Sequence, residues 1–181
     1  IVLEVGMELE VCVYSGKNVY NADCVISSRG KEGNIFTMEL KLITPLKKFQ
    51  RREYYRLECT LEADVTIIDE DESAHFKKTG SLPDVLSMPS EKGIITDISG
   101  GGLRLIMNKQ YEKDTVVAVK FTIAIGGRKR DMYLPARIIL SFRKTNDESV
   151  FDNRLQFINI KSEDTEDIVK DVIEQQRIMR Q

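Results

Sequence analysis

Polar and apolar residues alternate along much of the chain, and this alternation is the pattern of half-buried β-strands. The first three segments that show it are 8–14, 19–27 and 35–43. Short polar turns separate them, so they predict an antiparallel meander. Three strands bury little apolar surface for a unit that folds by itself, so we interpret the meander as part of a larger β module. Pro45 ends it, because proline cannot continue a central strand ladder.

A second and longer series of strand-like segments follows. Its members are 57–68, 94–98, 103–107, 116–125, 133–142 and 150–158. Glycine-containing turns separate several of them, and Gly126-Gly127 predicts a tight hairpin between the fourth and the fifth. Six short strands with frequent turns predict a mainly β fold, either a small barrel or a sandwich.

Two segments lack this alternation. Residues 69–92 are rich in acidic residues, serine, proline and glycine, and predict a long loop inserted between two strands, with one helical turn near 83–86. The chain ends in a predicted helix that begins at Ser162, a favourable N-cap residue. Five apolar residues form a stripe along this helix: Ile168, Val169, Val172, Ile173 and Met179. We expect the stripe to pack on the barrel or on a neighbouring subunit.

Composition narrows the possible functions. The 181 residues contain 27 Lys and Arg against 29 Asp and Glu, a formal charge of −2, which argues against a dedicated DNA-binding domain. No apolar run is long enough for a membrane span, so no membrane insertion is predicted. The chain starts without methionine, so upstream residues are expected, and no signal peptide is visible.

The cysteines and the histidine do not predict a metal site. Cys12, Cys24 and Cys59 have no Cys-x-x-Cys spacing, and His75 is the one histidine in the chain. We interpret the cysteines as small buried hydrophobes in a reducing compartment, which predicts a cytoplasmic protein.

A basic stretch joins the two series of strands. Five of the ten residues from Lys47 to Arg56 are basic. Arg52 and Arg56 are four residues apart, so a helix or an extended strand would place both on one face. Paired guanidinium groups suit phosphates or guanine edges, which arginine binds with two hydrogen bonds. A solvated basic linker is the alternative interpretation of the stretch by itself.

The second candidate motif is Asp97-Ile98-Ser99-Gly100-Gly101-Gly102. Successive glycines let backbone N–H groups converge on an anion, and a serine hydroxyl can donate to a phosphate or a base edge. Asp97 would repel a phosphate, so it must contact donors such as the guanine N1–H edge or an arginine. A tight hairpin turn is the alternative.

Three common nucleotide-binding or catalytic motifs are absent from the sequence. There is no Gly-Lys-Ser/Thr, no Gly-x-Gly-x-x-Gly in a βαβ unit and no Gly-x-Ser-x-Gly. We therefore predict no enzymatic activity and no catalytic residue.

Taken together, Arg52-x-x-x-Arg56 followed by Asp97-x-Ser99-x-x-Gly102 resembles the PilZ domain family of cyclic di-GMP receptors. The resemblance covers roughly residues 50 to 180 and implies a six-stranded antiparallel PilZ-type β-barrel with a C-terminal α-helix. The segment ending at Arg52 resembles the N-terminal module of flagellar-brake (YcgR-like) proteins, although it is shorter. The implied organisation is a partial N-terminal β module at 1–46, a basic linker and switch at 47–56, and the barrel with its helix at 57–181.

The resemblance also implies roles for single residues. Arg52 and Arg56 would recognise phosphate and guanine, and Asp97 and Ser99 would contact the ligand from the facing turn. Gly101 and Gly102 would let the backbone approach the ligand. Arg51 matches an arginine that in such proteins accompanies an intercalated dimer of cyclic di-GMP.

The resulting hypothesis is a cyclic di-GMP sensor and adaptor, with cyclic di-GMP as bound ligand and no metal. Binding at the linker would change the orientation of the two units, and a flagellar motor protein would be the partner. The rival hypothesis is a β-barrel that binds single-stranded nucleic acid, with Tyr54 or Tyr55 as a stacking platform. A third is an interaction module without a ligand. Low aromatic content, at 7% of residues, counts against the nucleic-acid hypothesis.

Overall fold

The chain folds into two compact units, Ile1–Glu53 and Tyr54–Gln181. The structure is a computed structural model, and it describes residues 3–16, 18–50, 52–82, 88–144 and 147–179. Arg51 and the helical turn expected near 83–86 lie outside the described residues.

The N-terminal unit is one antiparallel sheet. Its strands are β1 (Glu8–Ser15), β2 (Asn18–Glu32), β3 (Ile35–Leu42) and the short β4 (Lys47–Lys48). The strand β2 is central, with β1, β3 and β4 all paired to it. Alternation along β2 buries Ala22, Cys24 and Ile26, whereas every residue of β3 is exposed. The antiparallel meander predicted for this part of the chain is therefore observed, and β2 contributes its buried residues.

The second unit is a closed six-stranded antiparallel barrel, as predicted. Its strands are β5 (Arg56–Ile67), β6 (Glu91–Ser99), β7 (Gly102–Met107), β8 (Val116–Ile125), β9 (Arg128–Lys144) and β10 (Asp147–Phe157). They close in the order β10-β7-β6-β5-β8-β9. Because side chains alternate between the two faces of a strand, the apolar set of each strand fills the interior. The fully buried residues there include Ile95, Ile98, Leu105, Val119, Leu134 and Ile138.

A ten-residue helix, α1 (Glu70–Thr79), lies where the sequence predicted a loop. That prediction was wrong for this part of 69–92. Asp69 and Glu72 form a reciprocal capping box, with the Glu72 N–H donating to Asp69 Oδ1 at 2.7 Å. Gly80 ends the helix in the left-handed conformation, at φ 75°. These are standard start and stop signals, and they were present in the sequence.

The C-terminal helix α2 (Ser162–Met179) packs against β5, β6 and β8. Ile168 and Val172 are fully buried, which confirms the expected packing for the first part of its stripe. The later part differs, because Ile173 is 41% and Met179 66% exposed. Neither described helix has the length and hydrophobicity that a membrane span requires.

The three cysteines do not share one environment. Cys24 is buried and Cys59 is half-buried, but Cys12 on β1 is exposed. The expectation that all three are buried hydrophobes was therefore wrong for Cys12.

Candidate functional site

Strand register brings parts of the two sequence motifs into one row. Arg56 on β5 pairs with Ser99 on β6, and Ser99 pairs with Gly102 on β7. Gln156 on β10 pairs with Gly102 and extends the row to a fourth strand. Neighbouring strands lie about 4.8 Å apart, so residues 43 positions apart in the sequence become close neighbours.

A second row of cross-strand neighbours lies two residues away from the first row on each of the same four strands. Glu58 pairs with Asp97, Asp97 with Arg104, and Arg104 with Arg154. Ile98, between Asp97 and Ser99, points into the barrel and is fully buried. Asp97 and Ser99 therefore lie on the outer side of β6, where Ser99 is buried and Asp97 is half-buried. Arg104 and Arg154 lie on the same outer side and are exposed.

Arg104 and Arg154 were missed by the sequence analysis, and they differ in their partners. The Arg104 Nε donates to Asp152 Oδ2 at 2.8 Å, and this ion pair raises the pKa of the guanidinium. Arg154 stacks on the Phe142 ring at 5.6 Å from its centroid. Among the residues that the structure describes, no carboxylate lies within ion-pair distance of Arg154. Alternation predicts that both point outward, but only register shows that Arg104 pairs with Asp97 and that Arg154 lies one strand beyond Arg104.

Ser99 and Gly102 build the turn in which they lie. The Ser99 hydroxyl is buried and donates to the Gly102 carbonyl at 3.1 Å. A Cβ on Gly102 would overlap the carbonyl oxygen of Leu155 and lie 3.1 Å from the Gln156 Cα. The barrel itself thus requires glycine at 102, independently of any ligand.

Tyr54 covers the other two glycines of the turn. A Cβ on Gly100 would lie 2.7 Å from Tyr54 Cδ1, and a Cβ on Gly101 would lie 3.3 Å from Tyr54 Cδ2. The aromatic ring therefore rests directly on the backbone of this glycine pair. Tyr55, the next residue, is 73% exposed.

The two arginines of the first motif belong to different structural units. Arg56 begins β5 and its side chain is exposed; Arg52 belongs to the N-terminal unit and is exposed as well. Neither guanidinium has a hydrogen-bond or ion-pair partner among the described residues. Residues 52–55 form neither helix nor strand, so periodicity does not place Arg52 and Arg56 on one face as the sequence analysis assumed.

Among the described residues, no three His, Cys, Asp or Glu side chains are grouped so that they could hold a metal ion. His75 lies on the exposed face of α1.

Solved structures with the same fold support the architecture. The chain is similar over its whole length to the Bacillus subtilis inhibitor of motility (MotI/DgrA), with a TM-score of 0.78, 16% identity and 78% of that chain covered. It is also similar to Escherichia coli YcgR in complex with c-di-GMP, with a TM-score of 0.53 and 12% identity over 96% of this chain and 67% of that one. The K. pneumonia MrkH–c-di-GMP complex gives a TM-score of 0.52 and 14% identity over 98% and 75% of the two chains.

No curated protein sequence matches the chain at a significant level. Residues 50–175, however, match the family described as PilZ domain, and that range holds the barrel, most of α2 and both motifs. With the closed barrel, the Arg56–Ser99–Gly102 row and this match in agreement, the chain belongs to the PilZ domain family.

Proposed function

We propose that this protein is a receptor for cyclic di-GMP. The observation that carries the proposal is the row that joins Arg56 to Ser99, with Asp97 on the same outer face. An exposed guanidinium without a described partner stands next to a carboxylate and a glycine turn. That combination offers both a cation for phosphate and an acceptor for the N–H groups of guanine.

The chemistry of each residue fits a guanine dinucleotide. Arg56 can bind a phosphate, or the O6 and N7 atoms of guanine, through two parallel hydrogen bonds. Asp97 accepts hydrogen bonds, which suits the guanine N1–H and N2–H₂ donors. Arg154 adds a cation that stacks on Phe142, and its planar face can stack on a base as well.

The roles proposed for the remaining residues rest on the sequence motifs and on the family resemblance. Arg52 contributes a second guanidinium to the ligand, and Arg51 stacks on a guanine of an intercalated dimer. Gly101 and Gly102 form the turn beside which the ligand lies. Two of the similar structures are complexes with c-di-GMP, which supports this choice of ligand.

The proposed role is that of an adaptor without enzymatic activity. Ligand binding at the connection between the units selects one of their relative orientations. Regulation of flagellar motility is the proposed output, through contact with a motor protein. The similarity to an inhibitor of motility supports this output.

Isothermal titration calorimetry with cyclic di-GMP tests the proposal. The wild type is expected to bind with a measurable heat, and Arg56→Ala to lose about 10-fold or more in affinity, because a charge-assisted hydrogen bond contributes about 1.5–3 kcal/mol. Arg52→Ala is expected to behave similarly. Arg29→Ala, which removes an exposed arginine of β2, is the matched control and should bind as the wild type does.

Absence of binding by the wild type would overturn the proposal, as would equal affinities of the wild type and Arg56→Ala. A parallel titration with single-stranded oligonucleotides tests the rival function. Oligonucleotide affinity that falls steeply with salt, without preference for the cyclic dinucleotide, would favour a nucleic-acid-binding barrel instead.

A further inference from the structure

Helix α2 contacts the backbone of the proposed arginine ligand. The Gln176 Nε2 donates to the carbonyl oxygen of Arg56 at 3.1 Å, across 120 residues of sequence. Arg56 is the first residue of β5, so this contact lies where the strand leaves the connection between the units. A hydrogen bond here restrains the backbone that carries the Arg56 side chain.

The same helix contacts the glycine turn of the second motif. A Cβ on Gly100 would lie 2.9 Å from Val169 Cγ2 on one side and 2.7 Å from Tyr54 Cδ1 on the other. The turn is thus held between α2 and the residue that lies two positions before Arg56. Both motifs of the proposed site therefore touch α2 directly, at Gln176 and at Val169.

The part of α2 before Gln176 is fixed to the barrel independently. Asp171 Oδ1 accepts from the Ala124 N–H at 3.2 Å, and Glu174 Oε2 accepts from the Gly126 N–H at 2.9 Å. Beyond Gln176, Ile178 and Met179 are 60% and 66% exposed. In the described part of the helix, the Gln176 bond is the last hydrogen bond that ties α2 to the barrel.

We propose that Gln176 is a positioning residue for the ligand site, and that docking of the last turns of α2 and binding of cyclic di-GMP favour each other. The inference rests on the proposed function. Gln176 acts through the Arg56 backbone and need not touch the ligand. Because coupling between two equilibria is reciprocal, docked α2 strengthens ligand binding, and the bound ligand stabilises the last turns of α2.

The test compares Gln176→Met with Ile178→Met, using cyclic di-GMP as the probe. Methionine keeps the length and uncharged character of glutamine but cannot donate a hydrogen bond. Ile178→Met places the same residue in the same turn at an exposed position. Calorimetry measures affinity, denaturant unfolding without ligand measures stability, and hydrogen–deuterium exchange follows residues 172–179 with and without ligand.

Gln176→Met is expected to weaken binding roughly 3- to 10-fold, the range for loss of one hydrogen bond. The ligand should slow exchange in residues 172–179 of the wild type and of Ile178→Met, and this protection should be lost in Gln176→Met. A purely structural role would lower stability without removing ligand-dependent protection.

Wild-type affinity in Gln176→Met, or unchanged exchange of α2 on ligand addition to the wild type, would overturn this inference while leaving the proposed receptor function intact. No binding by the wild type would instead overturn the proposed function, and this inference with it.

Discussion

Gly100 and Gly102 both lie too close to neighbouring atoms for a Cβ to fit without a shift, but the neighbouring atoms differ. The atoms nearest to a Cβ at Gly100 belong to the side chains of Tyr54 and Val169, which can shift by changing rotamer. At Gly102 they belong to the backbone of Leu155 and Gln156, which is fixed by the pairing of β7 with β10. Glycine at position 102 therefore contributes to stability, whatever its contribution to binding.

Gly102→Ala is expected to destabilise the protein by about 3 kcal/mol, near the upper end of the usual cost of overpacking. The reason is that the strand backbone must move to accommodate the new methyl group. Gly101→Ala is the matched control. Its Cβ would lie 3.3 Å from one edge of the Tyr54 ring, so a small ring movement suffices and the loss should stay below about 1 kcal/mol.

Urea denaturation of the wild type and the two variants measures both losses. Equal unfolding free energies for Gly101→Ala and Gly102→Ala would contradict the backbone contact at Gly102.

At the scale of elements, α2 carries a carboxylate where the barrel excludes water. Asp171 is 3% exposed. Burial raises its pKa above the ordinary value of 3.8, and the hydrogen bonds from Ala124 and Gln175 offset part of that effect. The folded protein consequently holds a proton on Asp171 at pH values where the unfolded chain has released it. Stability then decreases as the pH rises from 3.8 through the folded-state pKa.

Asp171→Asn is expected to be more stable than the wild type at pH 7, because the amide keeps an acceptor for the Ala124 N–H without a buried charge. The difference should shrink as the pH falls towards 3.8, because a growing fraction of Asp171 is then protonated in the folded protein. Thermal unfolding across pH 4 to 7 provides the measurement, because a change of about 1 kcal/mol in unfolding free energy shifts Tm by a few degrees.

Glu163, exposed in the first turn of the same helix, is the control for this prediction. Neutralising it by Glu163→Gln removes a favourable interaction with the helix dipole, so stability at pH 7 should not rise. A gain of the same size in both variants would show that net charge, not burial at Asp171, determines the effect.

At the scale of the whole molecule, the chain has two units. A dye attached to one cysteine can report a change in their relative orientation. Burial, together with the nearby Asp97 and Asp171, raises the pKa of Cys59 to about 11. Its reactive thiolate is therefore scarce at pH 7. Cys24 is fully buried, whereas Cys12 in the N-terminal unit is exposed. A maleimide dye should accordingly label Cys12 first.

Fluorescence energy transfer between Cys12 and a second dye at Lys113→Cys, on the barrel unit, tests the proposed change in orientation. Cyclic di-GMP is expected to change the transfer efficiency in the otherwise wild-type protein and to leave it unchanged when Arg56→Ala is added. The control protein carries Cys12→Ser, Lys77→Cys and Lys113→Cys, so that both dyes are in the second unit. Its transfer efficiency should not change when the ligand is added. Constant efficiency in a protein that binds the ligand by calorimetry would contradict the switch.

Local signals and overall composition conflict at α1. Asp69 and Glu72, with Gly80 at the far end, are typical helix start and stop residues, whereas the polar composition of 69–92 predicts a loop. The stripe on α2 predicted burial of Ile168 and Val172 correctly. It could not show that Ile173 and Met179 remain exposed, because the docking of the helix on the barrel decides which part of the stripe is covered.

The sequence by itself determined which residues form strands and which side of each strand faces inward, because alternation acts through the fixed geometry of the extended chain. It also supplied both motifs that identify the family. Tertiary structure alone decided which residues meet. Pairing between β5, β6, β7 and β10 sets Arg56 beside Ser99, Arg104 beside Asp97 and Arg154 beside Arg104. The packing of α2 brings Gln176 to Arg56. Such contacts depend on register and on closure of the barrel, and no local periodicity encodes how strands distant in sequence are aligned.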